Sequence, residues 1–172
     1  MAQGSVDFSR NAEVTGNTML SLLENINHDH IAPILEQHRL THIYPDKWYP
    51  IQVWLDVLSD IQSMPGGMFD LVAIGMNIIE RLPLPPEVDS VEVALLNFGE
   101  GYQWSHRNGD VGEIYTEILG ERHVRVTIST PYPPDLMYGM TYAMARRLLP
   151  ADGNLTVNRT LKGDTMICDV TW

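Results

Sequence analysis

A single cysteine, Cys168, stands in the 172-residue chain. No disulfide can form within it, and the reducing cytoplasm is the expected location. Basic residues are scarce too, with 11 Lys and Arg against 22 Asp and Glu and a formal net charge of −11. Nucleic-acid affinity rests on clustered cations facing phosphates, and the one basic pair, Arg146-Arg147, does not make such a cluster. A nucleic-acid partner is therefore not expected. Long apolar runs are missing: the stretch from Leu71 to Ile79 is interrupted by Gly75 and Asn77 and falls short of the roughly 18 to 20 residues that span a bilayer. Met1 to Asp7 lack the basic region and apolar core of a signal peptide. The sequence also has no Gly-x-Ser-x-Gly elbow, Walker loop, dinucleotide fingerprint or His-Glu-x-x-His pair. No catalytic residue is assigned, and these absences count against an enzyme.

What is present divides into a helical first part and a hairpin-rich second part. Residues 1 to 16 are small and polar without an apolar period and read as a flexible N-terminal arm. Residues 17 to 172 read as one domain, of a size that hides about 70% of its unfolded surface. From Asn17, the residues Met19, Leu20, Leu22, Leu23 and Ile26 fit a helical face. Asp29 is placed to cap a second segment with Pro33 in its first turn, ending near His38. Ile43 to Pro50 is too proline-rich for a helix and predicts a stiff connector. Ile51, Trp54, Leu55, Leu58 and Ile61 then recur at helical spacing, with Pro65-Gly66-Gly67 as the stop. Met68 to Leu82 predict a central helix that is apolar nearly all round, in which Gly75 permits close packing.

Asp89 and Glu92 are spaced as a capping box, and Val91, Leu95, Phe98 and Tyr102 follow at helical intervals, predicting a helix from Ser90 to Gln103. Val91 to Leu96 also fits a strand, and the pattern alone leaves both readings open. Beyond the polar turn Trp104 to Gly112, Glu113 to Leu119 and His123 to Ser129 predict a hairpin turning at Gly120-Glu121. Leu136 to Leu149 predict a helix started by Pro134 and Asp135 and ended by Pro150. Leu155 to Leu161 and Thr165 to Trp172 predict a second hairpin around Lys162-Gly163-Asp164. The expected class is α+β: an N-terminal helical layer on a small twisted antiparallel sheet of about four strands, built from two hairpins separated by a helix.

Several of these segments resemble a known superfamily. Tyr44-Pro45-Asp46-Lys47-Trp48-Tyr49-Pro50, the turn His106-Arg107-Asn108-Gly109-Asp110, Pro131-Tyr132-Pro133-Pro134 leading into Tyr138-Gly139, and Cys168 to Trp172 are similar to the ligand-binding domains shared by NO-signalling and Golgi-transport proteins. That group takes in vinyl-reductase-like sensor domains, haem NO-binding domains and transport-particle subunits. The resemblance covers residues 17 to 172 and implies homodimers with a buried pocket for a small apolar or amphipathic ligand. It carries over no catalytic set and no cofactor. The C-terminal metal-binding cysteines of the vinyl-reductase-like domains are reduced here to Cys168, and the Tyr-x-Ser-x-Arg haem-propionate motif is missing.

The candidate ligand-binding residues are His106, Arg107 and Asp110 with the aromatic set Trp48, Trp54, Trp104, Tyr132 and Tyr138. Arg107 offers a planar fork suited to an anion, but a turn held by Arg107 and Asp110 is the more economical reading. His106 suits acid-base chemistry, yet a histidine at a helix end more often interacts with the C-terminal dipole. The aromatics fit a pocket or an interface, and each fits plain core packing equally well. Met64, Met68, Met76, Met137, Met140 and Met144 add adaptable lining of the same double meaning. His28, His30, His38 and His42 do not have the spacing of a metal site on a helix, and no metal ligand is assigned. Cys168 is expected to be buried and inert. The reading favoured is a non-catalytic small-molecule-binding or sensory domain. Beside it stand an interaction module without a ligand, and an enzyme using His106, Arg107 and Asp110 on an anionic substrate.

Overall fold

Helices in this chain start behind a short polar side chain that accepts from first-turn amides, or behind a proline whose backbone angle suits the turn into a helix. The computed structural model describes residues 8 to 64 and 70 to 172. Thr15 caps α1 (Gly16–Leu23) and Asn27 caps α2 (His28–Gln37). Pro50 precedes α3 (Ile51–Gln62), and Asp70 accepts from two amides at the start of α4 (Leu71–Arg81). Ser90 caps α5 (Val91–Trp104), and Pro133 precedes α6 (Pro134–Arg147). Two expected caps are corrected. Asp29 lies inside α2, where its amide is the donor to Asn27, and Pro33 falls in the second turn. The acceptor for α5 is Ser90 rather than Asp89: Ser90 has an extended backbone and its hydroxyl oxygen accepts from the Val93 amide at 3.3 Å. The expected stop at Pro65-Gly66-Gly67 and the restart at Met68 lie outside the described residues.

The flexible arm is corrected in part. Glu13–Thr15 form β1, with Ala12 and Val14 fully buried. Its partners are β2 (Trp48–Pro50), from the stiff connector, and β3 (His106–Arg107), from the polar turn. The three make an antiparallel sheet in the order β2-β1-β3, with Val14 facing both Tyr49 and His106 across the ladders. Strands of two or three residues are too short to show a period, and these partners come from distant parts of the chain.

The second sheet follows the expected hairpins. β4 (Glu113–Gly120), β5 (His123–Ser129), β6 (Thr156–Lys162) and β7 (Thr165–Thr171) pair antiparallel in the order β4-β5-β7-β6, with α6 between the hairpins in sequence. Successive strand residues point to opposite faces. Val124, Val126 and Ile128 therefore share the inner face with their cross-strand partners Val170, Cys168 and Met166, and all six are buried. The helical layer covers this face. α5 lies along β4, where the Thr116 hydroxyl donates to the Leu95 carbonyl at 2.7 Å, and α6 packs against α4, α5 and β7. The α+β architecture is as the pattern predicts, with α5 a helix and not a strand.

The contact that positions the site is the crossing of α4 and α6. A Cβ on Gly75 would lie 2.3 Å from the Leu136 carbonyl oxygen, and one on Gly139 would lie 2.1 Å from that of Val72. Only glycine lets these backbones meet. Farther along, Arg147 donates to the carbonyls of Ile79 and Leu82, closing the end of α4, and Arg146 pairs with Glu80. No helix among the described residues is long and apolar enough to cross a membrane.

Candidate functional site

At the end of α5 the chain passes through Ser105 into β3, and strand alternation sends its two residues opposite ways. His106 turns inward and is buried, whereas Arg107 is exposed. The His106 Nδ1 lies 2.7 Å from the Tyr102 carbonyl oxygen, which can only accept, so Nδ1 carries the hydrogen. Nε2 is then the acceptor, and the Tyr132 hydroxyl donates to it at 2.8 Å. The Tyr102 hydroxyl donates to the Val111 carbonyl at 2.8 Å. Ring centroids of Tyr102 and His106 stand 4.5 Å apart and those of His106 and Tyr132 5.6 Å apart, so the three rings form one packed cluster.

Burial sets the protonation of this cluster. It lowers the His106 pKa, against a smaller raising effect from the bond to the Tyr102 carbonyl, and so favours the neutral ring. It pushes the hydroxyls of Tyr102 and Tyr132 far above the ordinary phenol range, so both keep their hydrogens. The result is a fixed relay of neutral groups.

The cluster forms one wall of a cavity of about 670 Å³. α1 contributes Leu22, α3 contributes Trp54, and α4 contributes Ile78 and Ile79. α5 adds Ala94 and Phe98, and α6 adds Leu136, Met137, Met140 and Met144. The loop from Leu82 to Pro85 and the 76% exposed Trp104 also line it. Among the described residues, the charged side chains that line it are Glu87 and Glu100, and both are exposed.

Of the residues singled out in the sequence, Trp54, Trp104, His106 and Tyr132 line this cavity. The other four are elsewhere. Arg107 donates from Nε to Glu13 at 2.7 Å and lies over the Trp48 ring at 4.4 Å. This contact, with Asn108, holds the Glu13 carboxyl below its usual range. Asp110 accepts from the Gly112 amide at 2.8 Å, tying the turn. Tyr138 lies on α6 under Arg159, whose guanidinium pairs with Asp135. His106, Arg107 and Asp110 thus face different surroundings and do not converge on one cleft.

Of the methionines, Met137, Met140 and Met144 line the cavity, Met64 and Met76 are half-buried away from it, and Met68 lies outside the described residues. His38 pairs with Asp60 at 2.7 Å, while His28, His30 and His42 are exposed. No group of three or more His, Cys, Asp or Glu among the described residues could hold a metal ion. Cys168 is buried, and burial pushes its thiol up to about 11, so it stays protonated. Sequence reasoning missed Tyr102 as a site residue. Its helical spacing marked it as core, and its hydroxyl and carbonyl gain their roles only from the chain that follows α5.

No protein-family model and no curated protein matches the chain. Solved structures do match in fold. An H-NOX protein from S. oneidensis in its Fe(II)NO ligation state superposes with a TM-score of 0.65 at 12% identity, covering 91% of this chain and 97% of that one. A mutant of the T. Tengcongensis H-NOX gives a TM-score of 0.62 at 11% identity over 90% and 92% of the two chains. A structure solved to probe haem distortion in the H-NOX family gives 0.63 at 11% identity over 90% and 89%. The chain shares the H-NOX fold.

Proposed function

We propose that this chain is a non-catalytic sensory domain that holds a small apolar or amphipathic molecule in the cavity beside His106 and works in the cytoplasm as a homodimer. The observation that supports this best is the cavity itself. Its volume, about 670 Å³, lies in the range of small-molecule sites, roughly 300 to 1,000 Å³, and its wall of apolar side chains with a few fixed polar groups is the usual composition of such sites. An interaction module without a ligand would have a filled core instead. Exposed apolar side chains on the two edge strands of the larger sheet, Tyr115 and Ile118 on β4 and Leu161 on β6, offer a second copy a surface to cover.

Haem, named for one of the matching structures, does not fit the residues present. An axial imidazole needs a free ring nitrogen, and both nitrogens of His106, the histidine in the lining among the described residues, are engaged within the protein. The two carboxylates of haem are met most strongly by cations. Among the described residues the cavity lining includes no Lys or Arg, and its charged groups are carboxylates.

Native mass spectrometry of the protein purified from its own host tests the reading. The expected spectrum is a dimer carrying added mass that is lost on denaturation. A bare monomer that also gains no thermal stability from any neutral apolar compound would overturn it.

A further inference from the structure

Tyr132 also lines a second hollow, of about 360 Å³, and among the described residues it is the one side chain that borders both. That volume is at the small end of the range for small-molecule sites, roughly 300 to 1,000 Å³. The hollow is enclosed by α3, the loop from Thr130 to Pro134 and the turn at Gly163 and Asp164. Thr130 and Tyr132 are buried and form its floor, while Ser59, Gln62 and Asp164 are exposed and form its rim. The Thr130 Oγ1 is buried and has no hydrogen-bond partner among the described residues. A covered hydroxyl left in this way is costly. The β5–β7 register, carried past Ile128 and Met166 by the 2.8 Å contact between the Ser129 and Thr165 hydroxyls, brings Thr130 opposite Asp164. Side chains at opposed positions stand roughly 5 Å apart.

We propose that this hollow is a second binding site, separate from the cavity beside His106, and that it takes a carboxamide carried on a small flat ring. The amide oxygen accepts the Thr130 hydrogen, the amide N–H donates to Asp164, and the ring lies against Pro131, Tyr132 and Pro133. No hydrogen bond fixes the Thr130 rotamer, so a turn about χ1 brings its oxygen to an entering ligand. Other polar groups satisfy only part of this pair. A carboxylate would meet Asp164 with no Lys or Arg among the described lining residues to offset the charge. An ammonium has no acceptor for the Thr130 hydrogen, and a ketone has no donor for Asp164. Ser59 and Gln62 both donate and accept, so they admit the amide without selecting it.

The experiment is a titration of the full chain, followed by the backbone amide resonances of Thr130 and Asp164, with four probes that share one ring: benzamide, benzoate, benzylamine and acetophenone. Benzamide should bind tightest, with each of the others at least fivefold weaker. Thr130→Val keeps the side-chain shape and removes the hydroxyl. It should raise the urea midpoint of the free protein, because the orphaned group is gone, and weaken benzamide at least fivefold. Acetyl-phenylalaninamide carries the same group on a peptide backbone. Whether it or benzamide binds more tightly says if the amide comes from a peptide or a free molecule, and either order upholds the assignment. Benzoate, benzylamine or acetophenone binding as tightly as benzamide, benzamide binding that is unchanged in Thr130→Val, or a Thr130→Val protein less stable than the natural one overturns it. So does the absence of any shift at Thr130 and Asp164 with every probe. None of these outcomes bears on the larger cavity, whose reading stands or falls by its own test.

Discussion

The same two helices, α4 and α6, are packed in opposite ways at two places. Around Gly75 and Gly139 their backbones touch, with no room for a methyl group on either side. Farther along, Ile78 and Ile79 of one and Met140 and Met144 of the other stand around open volume. Side-chain size makes the difference. Glycines bring the backbones together at one point, and beyond it larger side chains of both helices line the cavity together with residues of α5 and α1, before Arg146 and Arg147 tie the two helices at the end of α4. The crossing fixes the frame, and the cavity is what that frame leaves.

The comparison is broken most directly at the crossing. Gly139→Val forces branched carbon against the Val72 backbone, which cannot move aside as a side-chain end could. It should cost about 3 kcal/mol or more, read as a lower urea midpoint at unchanged m-value, and Gly75→Val should behave alike. A matched pair of truncations sharpens the contrast. Leu95 is fully buried where α5 meets the sheet, and Leu95→Ala should cost roughly 3 kcal/mol because its removal opens a new void. Met140→Ala enlarges space that already exists, so the cost should stay below about 1.5 kcal/mol, since its cavity-facing atoms lack partners to lose. Equal costs for the two would mean that the cavity collapses in solution.

The polar wall gives smaller effects. Tyr132→Phe removes the donor to His106 Nε2 and leaves a buried acceptor without a partner, at a cost of about 2 kcal/mol. The pH dependence follows from the lowered pKa of His106. The unfolded chain takes up a proton near the ordinary histidine value of about 6.5, while the folded chain resists it. The unfolded state then binds more protons, so stability is full above that value and falls as the pH drops below it. Melting temperatures measured from pH 7.5 to 5.5 should fall more steeply for the natural protein than for His106→Gln. Parallel slopes would show that His106 is not held neutral.

Much of this frame was legible in the residues. Alternation through Val124, Val126 and Ile128 and the glycine turn at Lys162-Gly163-Asp164 were enough to place both hairpins. The helix over Val91 to Trp104 stayed ambiguous because Val-Glu-Val fits a strand, and what decides it is the cap at Ser90 together with packing along β4. The three-stranded sheet was hidden, since a strand as short as His106–Arg107 is made by its partners. For the site, aromatic type and proline-stiffened neighbours pointed to Trp54, Trp104 and Tyr132, which line the cavity. The same signal pointed to Trp48 and Tyr138, which serve as platforms for Arg107 and Arg159 instead. Residue type does not distinguish a ring that faces a cavity from one that faces a guanidinium. That depends on which side of a strand or helix the ring leaves.

The central claim is that the space bounded by Phe98, Met137, Met140 and the His106–Tyr132 pair is open and takes up a small molecule. A crystal of the protein pressurised with xenon tests it with the least chemistry added. The account predicts a strong xenon peak among those side chains with the His106 to Tyr132 hydrogen bond intact. A core in which the methionines have swung in to fill the space, with no xenon bound there, would contradict it.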